Sequence, residues 1–197
     1  MLAAQFAGKS IVEIGTRNGD GMMCFSRLAR SATAIEYDPA YCKKLRERQQ
    51  QNGGGGPHTK QARFHVSCGD YRKQHVPNAD IFTWWQQQPH LSNEAVLNNL
   101  RKLQLQGKVS KHAIGIMMFD HKWTTDVIDW RRLHHMANWS TRIAFDERAL
   151  GQPCPAQMAA GDGNRRFCYR ASGAFTVAAI PIAKVPVVDE HGSIVQL

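Results

Sequence analysis

The sequence predicts an α/β protein: a doubly wound, mostly parallel sheet of seven strands, antiparallel at its C-terminal end, with helices on both faces. Three observations carry this prediction. Short apolar runs alternate with helix-like stretches from Ile11 to about Met136. Acid-bearing turns fall at the ends of the first three strands, around Glu13, Glu36 and Asp70. After Met136 the alternation gives way to consecutive strand-like segments. Alternating strands and helices require parallel pairing with right-handed crossovers, and ligands then bind at the carboxyl ends of the strands.

The first strand, Ile11 to Ile14, is apolar except at Glu13, as expected of a central strand buried on both faces. It breaks into Gly15-Thr16-Arg17-Asn18-Gly19-Asp20-Gly21, after which a helix is expected from Met22 to Arg30. Glycine admits positive φ and lets a ligand approach the bare backbone, while a following helix directs unpaired N–H groups into the same space. A nucleotide-like ligand suits such a turn. By contrast Gly8-Lys9-Ser10 precedes a strand, where a phosphate-binding loop needs it before a helix.

Ala32 to Ile35 is the second strand, and Asp38 caps a helix that has Pro39 at its first position and runs through Leu45 to about Arg48. Residues 49–62, polar and glycine-rich, read as a flexible surface insertion. Arg63 to Ser67 forms the third strand and leads into the second glycine-acid turn, Cys68-Gly69-Asp70-Tyr71. Ala79 to Trp85 is the fourth. A helix from about Asn93 to Leu105 follows, with Val96, Leu97, Leu100 and Leu103 on one side and Gly107 as its stop. Ala113 to Phe119 is the fifth strand, ending in Asp120-His121-Lys122-Trp123, and Thr125 to about Met136 has helical periodicity. Thr141 to Phe145, Phe167 to Arg170 and Ala174 to Ile180 are the last strands, with Ser172-Gly173 as a tight turn. Residues 151–164, carrying Pro153, Pro155 and Gly161-Asp162-Gly163-Asn164, form an irregular connection suited to a lid.

A chain of 197 residues, 43% hydrophobic, fits one domain over 1–197. No apolar run is long enough to span a bilayer, and the first residues lack the basic start of a secretory leader. Five cysteines, Cys24, Cys42, Cys68, Cys154 and Cys168, are an odd set without zinc-ligand spacing. They suggest free thiols in the cytoplasm or another reducing compartment. His134-His135 has no spaced partner, so no metal is expected. The net charge of +9 is dispersed along the chain and does not by itself specify nucleic acid.

Spacing narrows the ligand. Glu36 falls about twenty residues beyond the first glycine of the turn, where an acid accepts hydrogen bonds from ribose hydroxyls. Asp70 follows the third strand and suits an adenine amino group. The turn reads Gly15-x-x-x-Gly19-x-Gly21 and lacks the Gly-x-Gly-x-x-Gly spacing of dinucleotide sites, which argues against an NAD-dependent oxidoreductase.

Residues 11 to about 180 resemble the class I S-adenosylmethionine-dependent methyltransferases. The first motif of that family is an acid, any residue, a glycine and a short glycine-bearing turn, matched by Glu13, Gly15 and Gly19. The resemblance implies a Rossmann-like fold, S-adenosylmethionine as cofactor, and methyl transfer as the activity. It implies that Glu13 supports the methionine end and that Gly15, Thr16, Arg17, Asn18 and Gly19 line the methionine and ribose portions. Glu36, with Tyr37 beside it, would hold the ribose diol, and Asp70 with Tyr71 would bracket the adenine. Two departures stand out. Arg17 occupies a position where many members carry glycine, and Thr83-Trp84-Trp85-Gln86 replaces the acid-proline motif of enzymes that methylate base amino groups. The second departure speaks against methylation of adenine or cytosine amino groups. A small-molecule acceptor is expected because aromatics flank the proposed mouth, with RNA or a protein side chain also compatible. Trp84, Trp85 and Lys122 are the expected acceptor pocket, and Asp120 and His121 the candidate bases. A catalytically silent S-adenosylmethionine-binding partner subunit is the alternative that the departures motivate.

Overall fold

The computed structural model describes residues 6–51, 63–85, 91–120, 169–172, 175–185, 187–188 and 194–195. The chain divides into two compact units, Met1–Trp85 and Gln86–Leu197.

The first unit is strand and helix in alternation: β1 (Ser10–Ile14), α1 (Asp20–Phe25), β2 (Ser31–Glu36), α2 (Pro39–Gln51), β3 (His65–Cys68) and β4 (Ile81–Trp85). Its strands lie side by side in the order β3-β2-β1-β4, all parallel. The order follows from right-handed crossovers that return each strand beside an earlier one. As a central strand β1 is apolar on both faces: Ile11, Val12 and Ile14 are buried, and Glu13 is buried with them. In register, Glu13 lies between Ala34 of β2 and Thr83 of β4. Phe6 and Phe25 meet edge to face, with ring centroids 4.6 Å apart, and fasten α1 to the segment before β1.

The first helix departs from expectation. It spans Asp20–Phe25, starting two residues early and stopping five residues before Arg30. The reason is competition for the backbone. Leu28 O accepts from Gly8 N (2.9 Å) and Arg30 N donates to Lys9 O (2.8 Å), so residues 27–30 are drawn into the turn that starts β2. The second helix keeps its predicted cap, because the Asp38 Oδ1 atom accepts from Ala40 N (2.7 Å) and Tyr41 N (3.2 Å). It continues to Gln51, so Gln49 to Gln51 belong to α2 and not to an insertion.

The cysteines also depart from expectation. Cys42 of α2 and Cys68 of β3 are joined in a disulfide, Cα atoms 5.9 Å apart. Packing of α2 over β3 in the crossover brings the two together. Cys24 is free and exposed.

The second unit contains α3 (Leu91–Leu105), β5 (Ile114–Asp120), β6 (Tyr169–Ser172), β7 (Phe175–Pro181), a 3-10 turn at Ile182–Lys184, and the short pair β8 (Val187–Val188) and β9 (Ile194–Val195). β7 runs antiparallel to both β5 and β6, as the change of pattern late in the sequence predicts. α3 buries Val96, Leu97 and Leu100 and packs on the 3-10 turn, whose Ile182 is buried. Its end is set at Gly107, where φ is 71° and Lys108 N reaches back to Leu103 O (2.9 Å). The predicted helix 125–136, strand 141–145 and lid 151–164 lie outside the described residues, as do 52–62, Cys154 and Cys168. Among the described residues no helix is long and apolar enough to cross a membrane. Nor does any group of histidine, cysteine, aspartate and glutamate among them suit a metal ion.

Candidate functional site

The carboxyl ends of β1, β2 and β3 are stitched together by backbone bonds to neighbouring strand ends. Gly15 N donates to Ile35 O and Gly69 N to Glu36 O, each at 2.8 Å. These bonds bring the glycine turn, Glu36 and the Gly69-Asp70 turn into one row. Gly15 and Gly19 both have positive φ, 71° and 78°. At Gly19 glycine is needed twice over, because a Cβ would also lie 2.5 Å from Leu45 Cδ2 on α2. Arg17, at φ 51°, is the one described non-glycine residue in the left-handed region, a conformation that costs a side-chain-bearing residue about 1 kcal/mol.

What holds Arg17 there is Glu36. The Arg17 N–H donates to Glu36 Oε2 at 2.6 Å, and Asp38 N donates to Glu36 Oε1 at 2.8 Å. The Glu36 carboxylate is buried and locked by two backbone donors, yet each of its oxygens retains capacity for a further donor. Such an acid is pre-oriented to accept from a pair of hydroxyls.

Glu13 is in the opposite condition. Its Oε2 is buried without a hydrogen-bond partner, and so is Oγ1 of its register neighbour Thr83. Thr16 Oγ1 donates to the Glu13 backbone O at 3.1 Å. Burial pushes the Glu13 carboxyl up to about 8, with the nearby charges of Glu36 and Asp20 adding to the rise and the Thr16 hydroxyl opposing it. The side chain fits under α1 because residue 21 is glycine: a Cβ there would lie 2.9 Å from Glu13 Oε1. A cation arriving at this position would favour the charged form of Glu13.

Asp70 stands beside the row but is occupied. Arg72 grips it with both Nε (2.9 and 3.1 Å) and Nη2 (2.6 Å), and Arg72 N donates to Oδ1 at 2.9 Å. These side-chain hydrogen bonds hold the Asp70 carboxyl below the usual carboxylate range. Tyr71 is half-buried, and burial raises its hydroxyl. Tyr37, 76% exposed, and the exposed Asn18 border the row at the surface.

The two tryptophans of β4 separate. Trp84 is 0% exposed, whereas Trp85 is 40% exposed. Asp120 ends β5 in the second unit. His121 and Lys122 lie outside the described residues. Sequence reasoning missed Thr83, Arg72 and the clearance at Gly21. Of these, Arg72 had a signal, since an aspartate two residues before an arginine fits an Asx-turn that the guanidinium then closes. Thr83 had none without the register of β1 and β4.

No family model and no curated protein matches the chain. Solved structures do match it in fold. An RNA methyltransferase from Salinibacter ruber, in complex with S-adenosyl-L-homocysteine, has a TM-score of 0.53 and 15% sequence identity over 96% of this chain and 90% of that one. A ribosomal protein L11 methylase from Lactobacillus delbrueckii subsp. bulgaricus has a TM-score of 0.52 and 14% identity over 91% of this chain and 74% of that one. At these identities the likeness is one of fold.

Proposed function

We propose that this chain, which has the class I methyltransferase fold, binds S-adenosylmethionine at the carboxyl ends of β1 to β3 and transfers the methyl group to an acceptor. The observation that carries the reading is the Glu36 carboxylate, fixed by Arg17 N and Asp38 N beside the Gly15 to Gly19 turn and able to accept from a ribose diol. The residues fit the rest of the group. Glu13, buried with an orphaned oxygen, is the acid that the cationic methionine end would draw into its charged form. The turn from Gly15 through Thr16, Arg17 and Asn18 to Gly19 supplies bare backbone, and Tyr37 flanks the ribose side. Asp70 and Tyr71 border the adenine side, where Asp70 serves the amino group as it exchanges or shares its bond to Arg72. The S-adenosyl-L-homocysteine in the Salinibacter ruber RNA methyltransferase supports the cofactor class.

The bound cofactor supplies an electrophilic methyl on a sulfonium, so the chain's own work is to hold donor and acceptor in line and to exclude water. In this reading Trp85 is the exposed aromatic on the acceptor side, and Trp84, fully buried, does not reach the acceptor. Asp120 and His121 are the proposed proton acceptors and Lys122 a further acceptor contact. We favour a small-molecule acceptor; RNA and protein acceptors are the competing classes.

Parallel titration of the purified chain with S-adenosylhomocysteine and with NAD tests the cofactor. Binding of the first is expected, and tight binding of NAD alone overturns the reading. A second reading, a catalytically silent partner subunit, is favoured by β4, whose described residues Ile81–Trp85 bring no acid to its end. Incubating labelled S-adenosylmethionine with cell extract separates the two, because transferred label rejects the silent subunit.

A further inference from the structure

The disulfide joins the two backbone segments that carry the site acids. Cys42 sits in the first turn of α2, where its N–H donates to Asp38 O at 2.9 Å, and Asp38 N in turn holds Glu36 Oε1 at 2.8 Å. Cys68 ends β3, and the next residue, Gly69, donates to Glu36 O at 2.8 Å before the chain reaches Asp70. The bond therefore ties the Glu36 to Cys42 segment directly to the Cys68 to Asp70 segment, although the cysteines are 26 residues apart in sequence.

The two partners differ in access. Cys42 is 2% exposed, whereas Cys68 is an exposed residue at the strand end. Exposed disulfides are the labile and regulatory ones, and a solvent-accessible cysteine next to a resolving cysteine is the arrangement of redox-sensor pairs.

We propose that Cys42 and Cys68 form a reversible thiol–disulfide site, oxidised by a low-molecular-weight disulfide, whose bonded state tightens the adjoining cofactor site. The ligand part rests on the methyltransferase reading; the redox part does not. In the reduced chain the Cys68 thiolate attacks one sulfur of glutathione disulfide. The reagent's S–S bond breaks, and one glutathione leaves as a thiolate that takes up the proton lost by Cys68. Cys42, deprotonated in turn, attacks Cys68 Sγ, the mixed disulfide breaks, and the second glutathione leaves with the proton from Cys42. Two protein thiols are oxidised by two electrons and one reagent disulfide is reduced to two thiols. The bonded state fixes the distance between the Glu36 and Asp70 segments before a ligand arrives, so less ordering remains to oppose binding.

The test uses the full chain equilibrated in graded mixtures of reduced and oxidised glutathione. Free thiols are then alkylated and mapped by peptide mass, and the same samples are titrated with S-adenosylhomocysteine and followed by amide hydrogen exchange. We expect one redox transition at Cys42 and Cys68, slower exchange over residues 36–42 and 68–72 in the bonded state, and an affinity higher by about threefold to tenfold. The Cys68→Ser variant is expected to keep the reduced-state affinity at every mixture. A bond state that does not respond to the mixture overturns the proposal, as does equal affinity in the two states. If S-adenosylhomocysteine binds neither state, the cofactor reading fails instead, and the thiol site stands or falls on the exchange difference alone.

Discussion

At the amino ends of the first unit's strands Ser10, Arg30 and Asp80 satisfy one another, while at the carboxyl ends Glu13, Glu36 and Thr83 keep polar capacity in reserve. Asp80 Oδ2 accepts from Ser10 N (2.8 Å) and from Arg30 Nη2 (3.1 Å), Arg30 also reaches Ser10 Oγ (2.9 Å), and Asp80 N closes the ring on Ser10 O (3.0 Å). That end is a latch between β1, β2 and β4 made of ordinary conformations. The other end holds a left-handed arginine, a buried acid with an unpartnered oxygen and a buried hydroxyl in the same state. Both ends belong to one sheet, so the asymmetry is not a matter of overall stability. Unpartnered buried polar atoms cost about 1 to 3 kcal/mol each, and two of those among the described residues, Glu13 Oε2 and Thr83 Oγ1, are register neighbours on β1 and β4, the central strands whose carboxyl ends bind ligands in this architecture.

The largest expected effect separates packing from site within β4. Trp84→Ala is expected to lower stability by about 3 to 5 kcal/mol, and Trp85→Ala by no more than about 0.5 kcal/mol, in urea unfolding. A large loss at Trp85 would show that the carboxyl end of β4 also serves the core. Next comes the contrast of acids at opposite ends. Glu36→Gln is expected to weaken S-adenosylhomocysteine binding about 100-fold, since hydrogen bonds to a charged group are worth about 1.5 to 3 kcal/mol. Asp80→Ala is expected to cost about 1 kcal/mol of stability while leaving the affinity unchanged, because its arginine partner is largely exposed. Calorimetric titration and unfolding of both variants check the pair, and an affinity loss at Asp80 would erase the distinction between the ends.

Glu13 gives a smaller, pH-dependent effect. Its folded carboxyl titrates near 8 against 4.5 for the free side chain, so between those values the folded chain binds the extra proton. Stability then falls as pH rises through this window, being fully present below about 4.5 and lost above about 8. Glu13→Gln is expected to flatten this part of the profile in denaturant unfolding across the same range; an unchanged slope would assign it to other groups. The smallest effect is at Arg17. Arg17→Gly relieves the left-handed backbone but adds freedom to the unfolded chain, so the net change is expected within about 1 kcal/mol. The N–H that holds Glu36 is retained, so binding should persist, and a tenfold loss of affinity would assign the guanidinium a direct role.

Much of the first unit was legible because its signals are local. The apolar run of β1, the glycines after it, Asp38-Pro39 at the start of α2 and the position of Glu36 each depend on neighbours within a few residues, and each appears where the chain predicts it. Gly107 ends α3 for the same reason. The tertiary structure decided whatever depends on a partner brought from far along the chain. The first helix is short because Gly8 and Lys9 compete for the backbone of Leu28 and Arg30. Two adjacent tryptophans took opposite fates because Trp84 lies within a strand covered on both faces and Trp85 ends it: Ile81 and Thr83, on the same side of β4 as Trp85, are buried. Cys42 and Cys68 are joined because a crossover lays α2 on β3, and an odd count of cysteines spread over several elements carries no sign of it. Sequence fixes the conformations that the backbone prefers; the pairing of buried polar groups and thiols is fixed by which elements the fold makes adjacent, and that is a long-range property.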